Sequence, residues 1–164
     1  MADTKPQQPS SGENQPSFQI EKIYVKDLSL EIPGAPQVFT EQVQPQLEVQ
    51  LHTESGQFAD GYFEASVSAT VTAKAGERIL FLAEAVQAGI FSVRNVPAQE
   101  LDALLGIGCP TILFPYLRET ISDLIGRGGF PPVLLSPVSF EALYVQRLQQ
   151  GEAPAGEPKI EVAR

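Results

Sequence analysis

GYFEASVSATVTAKAGERILFLAEAVQAGIF, residues 61–91, decides the fold. In its first half Phe63, Ala65, Val67, Ala69, Val71 and Ala73 alternate with Tyr62, Glu64, Ser66, Ser68, Thr70 and Thr72. That is the two-residue period of a half-buried strand. The Ala75-Gly76-Glu77 turn returns the chain into residues 78–91, where Ile79, Phe81, Ala83 and Ala85 occupy one face and Leu80, Leu82, Val86 and Ile90 the other. The first strand predicts one wet face; the second predicts none. A sheet of this size cannot easily cover both faces with the helices left in the sequence, so another protein surface is expected against it, a sister subunit or a bound client.

Upstream, residues 18–31 alternate imperfectly. Phe18, Ile20, Tyr24, Leu28 and Leu30 are assigned to one face, interrupted by Lys22 and Lys26, with Ile23, Val25, Asp27, Ser29 and Glu31 opposite them. Asp27 and Glu31 then project the same way, roughly 13 Å apart at a strand rise of about 3.3 Å per residue. Residues 32–45 hold Pro33, Gly34, Pro36 and Pro45 and predict a crossover loop, in which Val38, Phe39 and Val43 are unusual for a solvated segment. Residues 46–53 form a strand with Leu47, Val49 and Leu51 on one side, and residues 54–60 connect it to the central pair.

Downstream the period changes to helical. Pro97 suits a first turn, Leu101, Leu104 and Leu105 follow, and Gly106 and Gly108 are expected to stop the helix. A second helix from Thr111 buries Leu113, Phe114, Leu117, Ile121, Leu124 and Ile125, with Pro115 beginning or kinking it. Gly126, Gly128 and Gly129 end that helix, and Ser139 caps a last one running to Gln150. Residues 1–17 and 151–164 are poor in large aliphatic side chains and are expected to be flexible tails around one domain, residues 18–150.

Twenty acidic and eleven basic residues give a formal charge of −9, which argues against a nucleic-acid surface and for a basic partner or simple solubility. No signal-type leader or membrane-spanning apolar run is evident, so a cytoplasmic location is expected. One cysteine, Cys109, cannot form an internal disulfide.

Chemistry is sparse. His52 lies on the polar side of its strand with no nucleophile assigned beside it, and one His with one Cys makes no typical zinc site. The glycine clusters match neither the dinucleotide nor the P-loop spacing. No cofactor, metal or catalytic residue is expected. Glu84 stands out, because a carboxylate between Leu82 and Val86 requires that end of the face to be open to water or to a cation.

FQI at 18–20, YVKD at 24–27, PGAPQVF at 33–39, GIF at 89–91, CPTILFPYLRE at 109–119, GGFPP at 128–132 and PVSFEALY at 137–144 together resemble SecB, the bacterial protein-export chaperone family. The resemblance covers residues 18–150. It implies an α+β protomer, a four-stranded antiparallel sheet with helices on one face, assembled as a homotetramer that is a dimer of dimers. It also implies ATP-independent binding of unfolded precursor proteins and their delivery to the SecA motor ATPase. The positions matching the family's SecA-binding surface are Asp27, Glu31, Leu82 and Glu84, and the zinc in that interaction belongs to SecA's C-terminal segment. Those matching client-binding or oligomer-face positions are Phe81, Ala83, Ala85 and Gln87, with Val49 and Leu51 on the neighbouring strand; Tyr24 and the crossover loop, Val43 included, are expected to line an aromatic cleft. Val43 stands where the family often has tryptophan, and Ala83 and Ala85 are smaller than some counterparts, which implies a shallower groove. Two alternatives remain open at this point: a SecB-like chaperone dedicated to one client, such as a toxin–antitoxin pair, and a small-molecule-binding hydrolase.

Overall fold

The computed structural model describes residues 12 and 14–151. The tails expected at residues 1–17 and 151–164 therefore lie mostly outside the described residues. Within them, Asn95 Nδ2 donates to the Gln15 carbonyl at 3.1 Å, just ahead of the first strand.

Four strands, β1 (Ser17–Glu31), β2 (Gln46–Ala59), β3 (Tyr62–Ala75) and β4 (Arg78–Arg94), form one antiparallel sheet in the order β1-β4-β3-β2. The 61–91 stretch supplies its centre: Phe63 pairs with Phe91, Ala69 with Ala85 and Ala73 with Phe81. The turn at Gly76 takes φ +62°, a conformation glycine adopts without a Cβ clash. β2 runs beyond residue 53 to Ala59, so the expected connection at 54–60 is strand. Residues 55–59 show no apolar alternation because the hairpin there is exposed, held by its backbone ladder with β3.

β1 departs most from its expected pattern. Its pairing with β4 shifts register between Ile20 and Lys22 and again between Val25 and Asp27. Each extra residue reverses the phase of the strand beyond it. Ile23 pairs with Gly89 and Val25 with Gln87, on the helix-covered side, whereas Tyr24 pairs with Ala88 on the other. The assignment of Tyr24 to the face of Leu28 and Leu30 is thus corrected. A third irregularity, between Ala73 and Lys74, sits opposite Leu80. Leu80 is buried, and Ile79, expected beside Phe81, pairs instead with Lys74 and is 39% exposed.

The helices α1 (Ala98–Ala103) and α2 (Cys109–Arg127) are joined by a π-helical turn, Leu104–Gly108. Gly106 and Gly108 do not stop the helix. Gly106 is needed for packing: a Cβ there would lie 2.8 Å from Tyr144 Cδ2 on α3 (Phe140–Gln149). α2 ends in a Schellman arrangement, with Phe130 N–H bonding Ile125 O, Gly129 N–H bonding Gly126 O, and Gly129 at φ +86°. Ser139 caps α3 by accepting from Ala142 N–H at 3.2 Å.

α2 lies over β3 and β4 and barely reaches β1. Leu113, Leu117, Ile121 and Ile125 are fully buried against the sheet. Small residues at Ala69, Ala83, Ala85 and Gly89 let the helix approach, with Leu113 Cδ2 3.1 Å from where a Gly89 Cβ would stand. One dry face of β4 is therefore covered by the chain's own helix, as a sheet with helices on one face requires. The other face carries no helix.

Candidate partner and client surfaces

On the helix-free face, Asp27 pairs with Val86, Ser29 with Glu84 and Glu31 with Leu82. The residues Asp27, Glu31, Leu82 and Glu84 thus come together on one surface, with Glu84 roughly 7–8 Å diagonally from each of the other two acidic positions. The second β1 bulge makes this possible, because it returns Asp27 to the open side after Val25. Thr70 Oγ1 donates to Glu84 Oε1 at 3.4 Å. Among the described residues, none of the three carboxylates has a cation within ion-pair distance.

Elsewhere on the same face, acidic side chains have basic neighbours. Lys26 forms an ion pair with Glu64 across β4, and the Tyr24 phenol shares the same face near that carboxylate. Ala88, the residue between Tyr24 and Ser66, is small enough for both side chains to pass over it. Lys26 holds the Glu64 carboxyl below its usual range, and Glu64 in turn raises Lys26; partial burial, then Glu64, raises the Tyr24 phenol. Lys74 pairs with Glu48 at 3.0 Å, and His52 Nε2 lies 3.1 Å from Glu54.

The residues matched to client binding are differently placed. Val49, Leu51, Phe81, Ala83, Ala85 and Gln87 all belong to the core on the helix-covered face and are at most 4% exposed. In this protomer they are part of the core against which the helices rest. Tyr24, expected in an aromatic cleft, is on the helix-free face, opposite the face that carries Phe81. Val43 is 40% exposed on the crossover loop.

An aromatic path does reach the surface at that end. Phe81 is buried and its ring centroid lies 4.7 Å from that of Phe130, which lies 5.3 Å from Phe39, itself 49% exposed. The loop is pinned there by the ion pair of Glu41 with Arg78, which holds the Glu41 carboxyl below its usual range. Phe39 was visible in the sequence as an aromatic out of place in a Pro-rich loop. Phe130, between Gly129 and Pro131, gave only the GGFPP motif as a signal.

The outer edge of β1 is bare, and Ile20, Val25 and Leu28 beside it are each nearly half exposed. A surface cleft of about 600 Å³ separates α2 from the segment after it, lined by Pro115, Arg118, Asp123, Pro132 and Leu134 among others. Arg118 closes one side by donating to the Leu135 carbonyl at 2.9 Å. Cys109 is fully buried, and burial pushes its thiol up to about 12. No group of three metal-ligating side chains occurs among the described residues. The continuous helix of residues 98–127 is apolar and long enough to cross a membrane by composition, but its apolar side is the one packed on the sheet.

Residues 11–151 match the model of the family SecB, preprotein translocase subunit SecB. The chain is 59% identical over 142 residues to the protein-export protein SecB of Chromobacterium violaceum, covering 86% of this chain and 95% of that one. It is 54% identical over 144 residues to the corresponding protein of Methylobacillus flagellatus, covering 88% and 92%. Its fold is similar to that of a Mycobacterium tuberculosis SecB-like chaperone solved in complex with a peptide from the HigA1 antitoxin, with a TM-score of 0.61 at 20% identity, covering 74% of this chain and 91% of that one.

Proposed function

Since the chain belongs to the SecB family of protein-export proteins, we propose that it holds unfolded precursors in an export-competent state and passes them to the motor ATPase SecA. It acts in the cytoplasm as a chaperone, by binding rather than by catalysis, and needs no nucleotide. The observation that supports the SecA step most is the convergence of Asp27, Glu31, Leu82 and Glu84 on a face that no helix covers. Three carboxylates around an apolar side chain suit a basic, zinc-containing segment of SecA, steering its approach and fixing its register.

Clients bind elsewhere on this reading. The Phe81, Phe130 and Phe39 path ends in an exposed ring on the crossover loop, which also carries the exposed Val43. Such a surface accepts many unfolded segments without reading sequence. Burying about 500 Å² of apolar client surface gives about 12 kcal/mol gross, while fixing ten client residues costs about 10–20 kcal/mol. A short segment therefore binds weakly, and tight holding requires a long client wrapped over several subunits. The bare β1 edge, with Ile20, Val25 and Leu28 beside it, is the surface through which we propose protomers pair on the way to a tetramer.

The relatives at 54–59% identity are protein-export proteins, which favours general export over a dedicated antitoxin client. Mixing the purified protein with a reductively unfolded precursor and sizing the products tests the reading. A stable complex, with affinity rising steeply as the client lengthens, is expected. Free, aggregating client, or equal affinity for a ten-residue peptide and a long chain, contradicts it.

A further inference from the structure

Resting on the assignment of the helix-free face to a basic partner, we infer that Lys26 is a specificity-determining residue: by holding Glu64, it confines the carboxylates that the partner can reach to the Asp27, Glu31 and Glu84 end of the sheet. Charge is unevenly matched over this face. Of its acidic residues, Glu64 is paired with Lys26 and Glu48 with Lys74. Glu54 faces His52 on β2, three strands from β1 or about 14 Å. The opposite end carries the cations Lys22, opposite Ile90 and next in sequence to Glu21, and Arg94, whose guanidinium sits 5.6 Å from the Tyr62 ring centroid and 4.0 Å from Asp60. Carboxylates with no cation beside them are thus concentrated at the Asp27, Glu31 and Glu84 end.

Glu64 pairs with Ile90 and Asp27 with Val86, which separates the two by two strands and four residues, about 16 Å. That is about twice the Debye length at physiological salt. An unmasked Glu64 would not deepen the existing seat; it would make a second one over the middle of the sheet. Lys26 prevents this, and its position in the β1 bulge lets it share the open face with both Tyr24 and Asp27.

The test measures, by calorimetry with the full-length protein, the affinity of a zinc-loaded synthetic peptide spanning the SecA C-terminal segment. Replacing Asp27→Asn and Glu31→Gln together is expected to weaken binding about tenfold in the wild-type background, and only about threefold in a Lys26→Gln background. Lys26→Gln combined with Glu64→Gln restores the tenfold sensitivity, because the second seat is gone. Lys22→Gln, which removes the same charge from the same strand without freeing Glu64, leaves it at tenfold. Equal losses in the wild-type and Lys26→Gln backgrounds overturn the inference alone. No loss in the wild-type background overturns the docking assignment and the inference with it.

Discussion

Gln87 on β4 accepts a hydrogen bond from the Thr120 hydroxyl of α2 at 3.2 Å, across the interface between sheet and helix. Gln87 is only 4% exposed, so this polar pair is part of what fixes α2 over an otherwise apolar bed. Gln87→Leu leaves the Thr120 hydroxyl without its partner and is expected to lower stability by about 1–3 kcal/mol in chemical denaturation. Adding Thr120→Val is expected to recover most of that loss. An additive double mutant would mean that the pair is not coupled.

Ala85 is opposite Ala69 and is 1% exposed beneath α2. Ala85→Phe overfills that layer, with an expected cost of about 1–3 kcal/mol. If Ala85 instead touched clients directly, the added ring would change client affinity and leave the unfolding midpoint where it was. Denaturation curves measured beside client titrations separate the two outcomes.

Gly106 faces the Tyr144 ring, whose hydroxyl donates to Asp102 at 2.5 Å. Gly106→Ala gains about 1 kcal/mol of helix propensity but pushes the ring, and with it α3, away from the π-helical turn. Global stability is expected to change by less than about 1 kcal/mol, while amide exchange over residues 140–149 speeds up about tenfold. Unchanged exchange in α3 would show that the ring yields without moving its helix.

Cys109 carries the pH dependence most open to measurement. Its thiol is raised in the folded protein from 9.0 to about 12, so between these values the folded chain keeps a proton that the unfolded chain loses. Stability contributed by the neutral thiol is complete below pH 9 and falls above it, by up to about 1.4 kcal/mol per pH unit. Cys109→Ala is expected to flatten that slope. The native thiol is expected to resist a disulfide reagent at pH 8 and to react fully in denaturant.

Residues 61–74 were legible because β3 keeps a strict two-residue period with a wet face, and every apolar residue assigned to its dry side is buried there. β1 was not, because register shifts after Ile20 and Val25 reverse the phase twice. Pairing geometry, invisible in a single strand's sequence, decides where Tyr24 points. Asp27 and Glu31 were still placed together because no bulge separates them. Gly106 and Gly108 misled for a related reason: a glycine required by the close approach of Tyr144 looks, in sequence, like one that stops a helix. The two-sided apolar character of β4 predicted cover on both faces, and the chain's own helix supplies it on one. That α2 could meet half of it depended on how many small side chains lie under the helix.

The most direct test of the two-faced sheet is to reverse the charges of Asp27, Glu31 and Glu84 to lysine and titrate the variant with the SecA segment and, separately, with an unfolded precursor. With one face for the partner and client binding at the crossover-loop end, affinity for SecA is expected to fall more than about tenfold and client affinity to stay within about twofold. An equal loss of both would contradict the division of the sheet into a partner face and a helix-bearing face that supports client binding only indirectly.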